Sequence, residues 1–232
     1  MEIGDSNWRA LITEGALRLG VHVSESQVDQ FAVHARELVH WNRRINLTAI
    51  TDPEEMAIKH FVDSIAAVPC MPSTGKMLDI GSGAGFPGIP LKIVCPAVET
   101  CLVDSVRKKV SFQSQVIRLL QLREIFAHHG RVEDLARHPD FQHQFNVIIC
   151  RAFSSLNRFV HSALPLLAAG GTILAMKGNL NDSEIDCISD INVSSAGQCE
   201  SGRLTLTVDV NRYRLPELLS DRSLAVIRAC PG

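Results

Sequence analysis

The apolar residues of this chain follow a helical period over residues 1–72 and then change to short uninterrupted runs. In the first region, Ser24 opens a capping-box pattern in front of apolar residues that share one helical face. Residues 52–55 combine a capping aspartate, a proline and two acids, which is typical of another helix start. A weaker helical pattern covers residues 8–19. The sequence therefore predicts an N-terminal helical appendage at residues 1–72.

Over residues 73–232, short apolar runs alternate with amphipathic helical stretches. Such alternation predicts right-handed β-α-β units and a mostly parallel sheet. The last two runs are separated by turn-forming residues, so we expect them to form an antiparallel pair that closes the sheet. The pattern thus predicts an α/β fold, a Rossmann-like domain with a seven-stranded sheet. Its strands are expected at 76–80, 98–103, 125–128, 145–150, 171–176, 203–210 and 223–229, and its main helices at 87–94, 107–122 and 156–168.

The composition is that of a globular protein. Of the 232 residues, 46% are hydrophobic and 21% are charged. No apolar run approaches the roughly 18 residues of a membrane-spanning helix, and the first residues lack the basic and apolar segments of a secretory signal. The 7 cysteines are scattered without a C-x-x-C pair, which argues against a disulfide framework and a zinc site. We therefore expect a cytoplasmic protein without a metal, and nothing here requires more than a monomer.

The charges are unevenly distributed along the chain. The net charge is -2, yet residues 101–160 carry 9 basic and 5 acidic side chains. A local positive field can bind nucleic acid although the whole molecule is nearly neutral. The middle of the chain is therefore a candidate nucleic-acid surface.

A glycine cluster follows the first predicted strand, in the stretch MLDIGSGAGFPG of residues 77–88. Bare backbone between a strand and a helix lets a ligand approach closely. Two spacings compete here. G-x-G-x-x-G, starting at Gly83, matches the dinucleotide fingerprint of nicotinamide- and flavin-dependent enzymes, whereas G-x-G-x-G starts at Gly81, where the strand ends. A tight glycine turn without a ligand is a third reading.

Two aspartates favour the second spacing. Asp79 precedes Gly81 inside the apolar strand, where a pyrophosphate would disfavour a carboxylate but a cationic ligand would favour it. S-adenosylmethionine carries both a sulfonium and an α-amino group. Asp104 ends the next strand, where it is placed to accept hydrogen bonds from ribose hydroxyls. The residues thus favour S-adenosylmethionine as the cofactor, with a Rossmann-type NAD-dependent oxidoreductase as the alternative.

The glycine stretch and its surroundings resemble the RsmG (GidB) family of bacterial 16S ribosomal RNA guanine-N7 methyltransferases. The resemblance spans roughly residues 24–229, and one departure is the serine- and glycine-rich stretch 187–202. It implies a class I methyltransferase fold, S-adenosylmethionine as cofactor, and as substrate a guanine in the 530 loop of 16S ribosomal RNA within the small ribosomal subunit or its precursor. The matching residues are Trp41-Asn42, Asn46-Leu47-Thr48, His60, Asp63-Ser64, Leu78 through Leu91, Asp104-Ser105, Lys108-Lys109, Arg131-Val132-Glu133, Arg151-Ala152-Phe153, Lys177-Gly178 and Arg222.

The resemblance also implies roles for individual residues. Those matching the family's cofactor-binding positions are Gly81, Phe86, Val132, Glu133 and Arg151. Basic residues important for activity match Lys108, Lys109, Arg131, Lys177 and Arg222. With the residues argued above, the predicted cofactor site is completed by Asp79, Gly83 and Asp104. Arg151 and Arg131 are expected to be catalytic.

Arg107, Lys108 and Lys109 open a predicted helix, where the helix dipole disfavours cations. This anomaly favours an anionic partner, so these three residues are predicted to bind RNA. Lys177 and Arg222, which the resemblance implies are important for activity, complete the predicted RNA-binding set. Guanine N7 has a free lone pair and needs no general base, and the sequence contains no evident acid–base pair. A non-catalytic RNA-binding ribosome assembly factor is the remaining alternative.

Overall fold

Three helices precede the sheet in this computed structural model, which describes residues 1–151, 153–189, 204–215 and 220–231. They are α1 (Ser6–Arg18), α2 (Glu25–Asn42) and α3, which is α-helical at Pro53–Met56, π-helical at Ala57–Val62 and α-helical again at Asp63–Ile65. The capping box at Ser24 and the cap at Asp52 are both formed, which confirms the two predicted helix starts. The π-helical turn, a feature that is frequent at functional sites, was not predicted.

Seven strands of the described chain form one sheet in the order β3-β2-β1-β4-β5-β7-β6. They are β1 (Gly75–Ile80), β2 (Val98–Asp104), β3 (Ile125–His129), β4 (Phe145–Arg151), β5 (Leu167–Lys177), β6 (Leu204–Leu215) and β7 (Ser220–Pro231). The strands β1 to β5 are parallel, whereas β7 is antiparallel to both β5 and β6. The predicted sheet and its antiparallel closing pair are confirmed. The strand order reverses between β1 and β4, and ligands bind at such a switch point in open α/β sheets.

Among the described residues, five α-helices connect the strands: α4 (Gly88–Val94), α5 (Arg107–Leu119), α6 (Val132–Leu135), α7 (Leu156–Ala163) and α8 (Asp182–Ser189). The helix predicted at 156–168 is too long, since α7 ends at Ala163. A 3₁₀ turn at Leu164–Leu166, which contains Pro165, follows it, and β5 already begins at Leu167. The helix predicted at 107–122 is also too long, since Gln121 has a φ of 50° and turns the chain towards β3.

The serine- and glycine-rich stretch 187–202 lies outside the described residues from position 190 onward. Within the part of the chain that the structure describes, no helix is long and apolar enough to cross a membrane.

The helical appendage shares one hydrophobic core with the sheet domain. The buried aromatic residues of this core come from α1, α2, α3, the glycine loop and α5: they are Trp8, Phe31, Phe61, Phe86 and Phe112. A second cluster, with Leu135 of α6 and Phe159 of α7, covers the opposite face of the sheet. The first three helices therefore pack as a layer against α4 and α5 and reach the loop that follows β1.

Candidate functional site at the carboxyl edge of the sheet

The glycine loop between β1 and α4 presents bare backbone at the switch point. Gly81 and Gly83 have φ angles of 71° and 57°, which favour glycine, and a Cβ atom on Gly81 would meet no described residue within 4 Å. On Gly83 it would meet only the carbonyl oxygen of Gly81, at 3.8 Å. The loop is fixed to the neighbouring strand, since the Gly81 N–H donates to the carbonyl of Val103 at 2.8 Å. The space above these two glycines is thus open to a ligand.

Asp79 lies fully buried beneath this loop. Its Oδ2 accepts a hydrogen bond from the Gly88 N–H at 2.9 Å, which caps α4, while its Oδ1 has no partner among the described residues. Burial raises the pKa of this carboxyl to about 7, against the lowering influence of the Gly88 N–H and of Arg151. A buried acceptor without a donor is costly. A ligand that brings a cationic or hydroxyl donor would therefore stabilise this arrangement.

Asp104, at the end of β2, orients the same loop. Its Oδ2 accepts from the Gly83 N–H at 2.9 Å and its Oδ1 from the Val106 N–H at 2.8 Å. The ammonium group of Lys109 lies 3.8 Å from Oδ2. Two predicted cofactor residues, Gly83 and Asp104, are thus brought into direct contact, and Lys109 faces this carboxylate.

Phe86, within the glycine loop, packs against the helical appendage. Its ring lies between the imidazoles of His34 and His60, with centroid distances of 4.6 and 4.5 Å, and the guanidinium of Arg151 lies 5.3 Å from its centroid. The ring is only 4% exposed, so a ligand contact from Phe86 would come from its backbone. Sequence reasoning missed His34, whose Nε2 lies 2.9 Å from the carbonyl oxygen of Ala84.

Burial lowers the pKa of His34 to about 4 and that of His60 to about 3. His60 is lowered further by the nearby charge of Arg151. Both imidazoles are therefore neutral near pH 7. His60 is hydrogen-bonded within the core, since its Nε2 lies 3.0 Å from the Thr48 hydroxyl.

Asp63 of α3 joins the appendage to the far half of the sheet. Its carboxylate lies 3.6 Å from Arg151 Nη1 and 3.5 Å from Arg222 Nε, and it accepts a hydrogen bond from the Tyr213 hydroxyl at 2.8 Å. Arg151 also donates to the carbonyl of Lys59, in the π-helical turn, at 2.8 Å. The predicted cofactor residue Arg151 and the predicted RNA residue Arg222 thus share one buried carboxylate, which the sequence did not indicate.

The other predicted residues occupy the same edge with differing exposure. Arg107 and Lys108 are exposed in the first turn of α5. Lys177, at the end of β5, forms an ion pair with Glu184 and lies 5.7 Å from the ring centroid of Phe153.

Arg131, Val132 and Glu133 follow β3. Arg131 precedes the short helix α6, and Glu133 is exposed in its first turn. The start of this segment is linked to the end of β2, because the Gly130 N–H donates to the Asp104 carbonyl at 3.2 Å.

A buried glutamine was also missed. Gln113 of α5 is fully buried and donates to the Ser82 hydroxyl at 2.8 Å and to the Gly83 carbonyl at 2.7 Å. Its position beside Phe112, on the apolar face of α5, was the available signal. Together with His34 it fixes the glycine loop from below, so the open face of the loop is rigidly presented.

Comparison with known proteins identifies a matching family and several relatives of this chain. The profile of the GidB family, described as rRNA small subunit methyltransferase G, matches residues 27–203. A protein named ribosomal RNA small subunit methyltransferase G from Geobacter sulfurreducens is 44% identical over 95% of this chain and 97% of its own length. A protein of the same name from Acetivibrio thermocellus is 36% identical over 95% and 88%.

Solved structures show the same fold at low sequence identity. The M. jannaschii TYW2 protein in complex with AdoMet has a TM-score of 0.58 at 10% identity and covers 82% of this chain and 80% of its own. A transferase from Pyrococcus horikoshii has a TM-score of 0.56 at 13% identity and covers 73% and 63%. The Rossmann-like sheet is thus shared with both of these proteins.

Proposed function

Because the chain belongs to the GidB family of small-subunit ribosomal RNA methyltransferases, we propose that it methylates N7 of a guanine in the 530 loop of 16S ribosomal RNA. The methyl donor is S-adenosylmethionine, and the substrate is the small ribosomal subunit or its precursor in the cytoplasm. The single observation that carries this proposal is the open glycine loop above the buried, half-satisfied carboxylate of Asp79.

The residues at the loop suit the chemistry of this cofactor. Asp79 Oδ1 offers a buried acceptor for a cationic group, and the open positions at Gly81 and Gly83 leave room for a ligand against the backbone. Asp104 retains unused acceptor capacity for ribose hydroxyls, since each of its oxygens accepts one backbone hydrogen bond. When bound, the cofactor supplies a methyl group on a positively charged sulfur. Val132, Glu133 and Arg151 would hold the rest of it.

Guanine N7 is the target that this site suits best. Its lone pair can attack a methyl group without losing a proton, so no general base is required. The nearby candidates for a base are already engaged: His60 is buried against Phe86, and Asp63 is paired with two arginines. The protein then acts by positioning the base and excluding water. Arg151 contributes by keeping its guanidinium over Phe86, next to the glycine loop.

The RNA would meet the same edge of the sheet. Arg107 and Lys108 are exposed at the start of α5, where a phosphate would be attracted by both their charge and the helix N-terminus. Lys177 is the last residue of β5, and Arg222 lies near the start of the antiparallel strand β7. Both are on the far side of the switch point. Arg131, at the start of α6, contributes a further cation. These residues would hold an RNA loop whose target base is splayed out.

Methyl transfer from labelled S-adenosylmethionine to small ribosomal subunits tests the proposal. We expect the label in one guanosine of the 530 loop. Reduction followed by aniline, a treatment specific for N7-methylguanosine, should cleave the RNA chain at this guanosine. Label in an exocyclic amine or a ribose hydroxyl would contradict the N7 assignment. Retention of NAD instead of S-adenosylmethionine would favour the oxidoreductase, and cofactor binding without any transfer would favour an assembly factor.

A further inference from the structure

Two adjoining grooves run along the outer face of α5, away from the glycine loop. The first, of about 460 Å³, is lined by Trp41 of α2, Arg107 and Arg118 of α5, and His129 at the end of β3. The second, of about 400 Å³, reaches Phe126 near the start of β3. Arg118 lines both, as does Ser114, so the grooves form one continuous trough, here called the α5 trough. It leads from the carboxyl edge of the sheet towards its opposite edge.

None of the described residues that line the α5 trough is acidic. Half of the residues that line it come from α5, and this helix contains 4 arginines and lysines and no aspartate or glutamate. In the whole chain, acidic residues outnumber arginine and lysine by 25 to 23. The trough is therefore a positive strip on a molecule that is otherwise slightly negative, and it complements a polyanion.

Aromatic side chains lie at both ends of this strip. Trp41 is half-buried and packs edge-on against Phe112, with centroids 5.7 Å apart, so part of its indole faces the first groove. Phe126 is 43% exposed on β3, the edge strand of the sheet. Cations that follow a backbone, combined with aromatic rings on which bases stack, are how proteins bind single-stranded nucleic acid. A duplex would offer the phosphates but keep its bases stacked internally.

We infer that the α5 trough binds a single-stranded segment of the RNA substrate, at a distance from the base that is methylated. Phosphates contact Arg107 and Arg118, and unpaired bases stack on Trp41 and Phe126. Ser114, between the arginines, supplies a hydroxyl for a phosphate or sugar oxygen. This inference rests on the proposed function for the identity of the RNA. It separates the surface that holds the substrate from the site that reacts with it.

Binding of a labelled oligouridylate and of an RNA duplex of equal length, titrated at increasing salt, tests the inference. Arg118→Gln is expected to weaken binding of the single strand and to reduce its salt slope by about 0.7, the contribution of one phosphate contact. Phe126→Ala is expected to weaken it about 5- to 150-fold, the effect of one lost base stack, with an unchanged slope. Tryptophan fluorescence should be quenched by RNA through Trp41, because Trp8 is fully buried.

Arg137→Gln is the matched control for the charge. The Arg137 side chain is 80% exposed and follows α6, which packs on the opposite face of the sheet. This variant should bind oligouridylate like the wild type. Leu17→Ala, which removes an exposed apolar side chain from α1, is the control for Phe126.

The outcomes separate this inference from the proposed function. If the wild type methylates ribosomal RNA but Arg118→Gln and Phe126→Ala bind oligouridylate unchanged, the inference is wrong. If those variants instead lower methylation of assembled subunits more than that of protein-free RNA, the trough contacts a ribosomal protein, which also overturns it. If the wild type transfers no methyl group yet the variants weaken RNA binding as expected, the proposed function is wrong and RNA binding by the trough is supported.

Discussion

The imidazole of His34 lies parallel to the ring of Phe86, with centroids 4.6 Å apart and planes inclined by 10°. Its Nε2 lies 2.9 Å from the carbonyl oxygen of Ala84, so one side chain of the helical appendage contacts the glycine loop twice. The stack is closed on its other side by His60. The glycine loop is therefore held in place by two neutral histidines, and its rigidity depends on their remaining unprotonated.

Acid should weaken the fold through these histidines. The pKa of His34 is about 4 in the folded protein and near 6.5 when exposed, so below pH 6.5 the unfolded chain takes up a proton that the folded chain does not. Each such histidine lowers the free energy of unfolding by about 1.4 kcal/mol per pH unit. Asp79, with its raised pKa, acts in the opposite direction as the pH falls. The informative quantity is therefore the difference between wild type and variant.

We expect urea unfolding of His34→Gln between pH 6.5 and 5 to show a mean pH slope that is smaller by about 1 kcal/mol per unit than that of the wild type, because the unfolded histidine is only half protonated at pH 6.5. The glutamine amide can still donate to the Ala84 carbonyl. His22→Gln, at an exposed position, should leave the slope unchanged. Equal slopes for His34→Gln and the wild type would mean that His34 titrates normally.

The Asp63 carboxylate should be a major contributor to stability. Asp63→Asn leaves the guanidinium groups of Arg151 and Arg222 without their shared counter-charge, and breaking a buried ion pair from one side costs about 3–5 kcal/mol. Tyr213→Phe removes one hydrogen bond from the same carboxylate and should cost about 1 kcal/mol. Urea denaturation of both variants measures the difference. Similar costs for the two would show that the arginines are solvated rather than paired.

Gly83→Val should prevent binding of S-adenosylmethionine, because its side chain would fill the space above the loop. The valine also adopts an unfavourable positive φ, so a control for backbone strain is needed. Gly170→Val provides it, since Gly170 has a φ of 71° and open space around its Cβ position, in β5. Calorimetry should detect binding to Gly170→Val and none to Gly83→Val, while both unfold cooperatively. Equal affinities would place the cofactor elsewhere.

Binding of S-adenosylmethionine should strengthen as the pH rises towards 7. The pKa of Asp79 is raised to about 7 by burial, and a cationic ligand favours its ionised form. Below that pH, ionising Asp79 costs about a factor of ten in affinity per pH unit. Calorimetry from pH 5.5 to 7 should show this dependence for the wild type, and a weaker, pH-independent affinity for Asp79→Asn. A pH-independent wild type would mean that the ligand does not face this carboxylate.

The fold was predictable because its signals are local. The caps at Ser24 and Asp52 and the alternation of apolar runs with helical stretches lie within short windows of sequence, and each formed as expected. The predicted end of α7 is too late because the helical spacing of apolar residues continues past Pro165. The proline is the opposing signal, and it marks the point where the α-helix stops.

The contacts of the site were less accessible to sequence reasoning. Asp63 and Arg222 are separated along the chain by most of the sheet domain, and their ion pair exists only because β7 lies between β5 and β6. The positions of Gly83 and Asp104 at neighbouring strand ends were predictable from parallel pairing, and their hydrogen bond follows from it. Pairwise proximity within parallel β-α-β units can be anticipated, whereas long-range ion pairs cannot.

Because the chain is synthesised from its N-terminus, the parts of the shared core become available at different times. Phe31 and Phe61 leave the ribosome before Phe86 and Phe112, the partners with which they form one buried cluster. The first three helices pack partly against one another, but until α5 has been made the part of their apolar faces that contacts Phe86 and Phe112 stays exposed, and such exposed faces are prone to aggregate. We therefore expect the nascent chain to be most prone to aggregation before α5 has emerged.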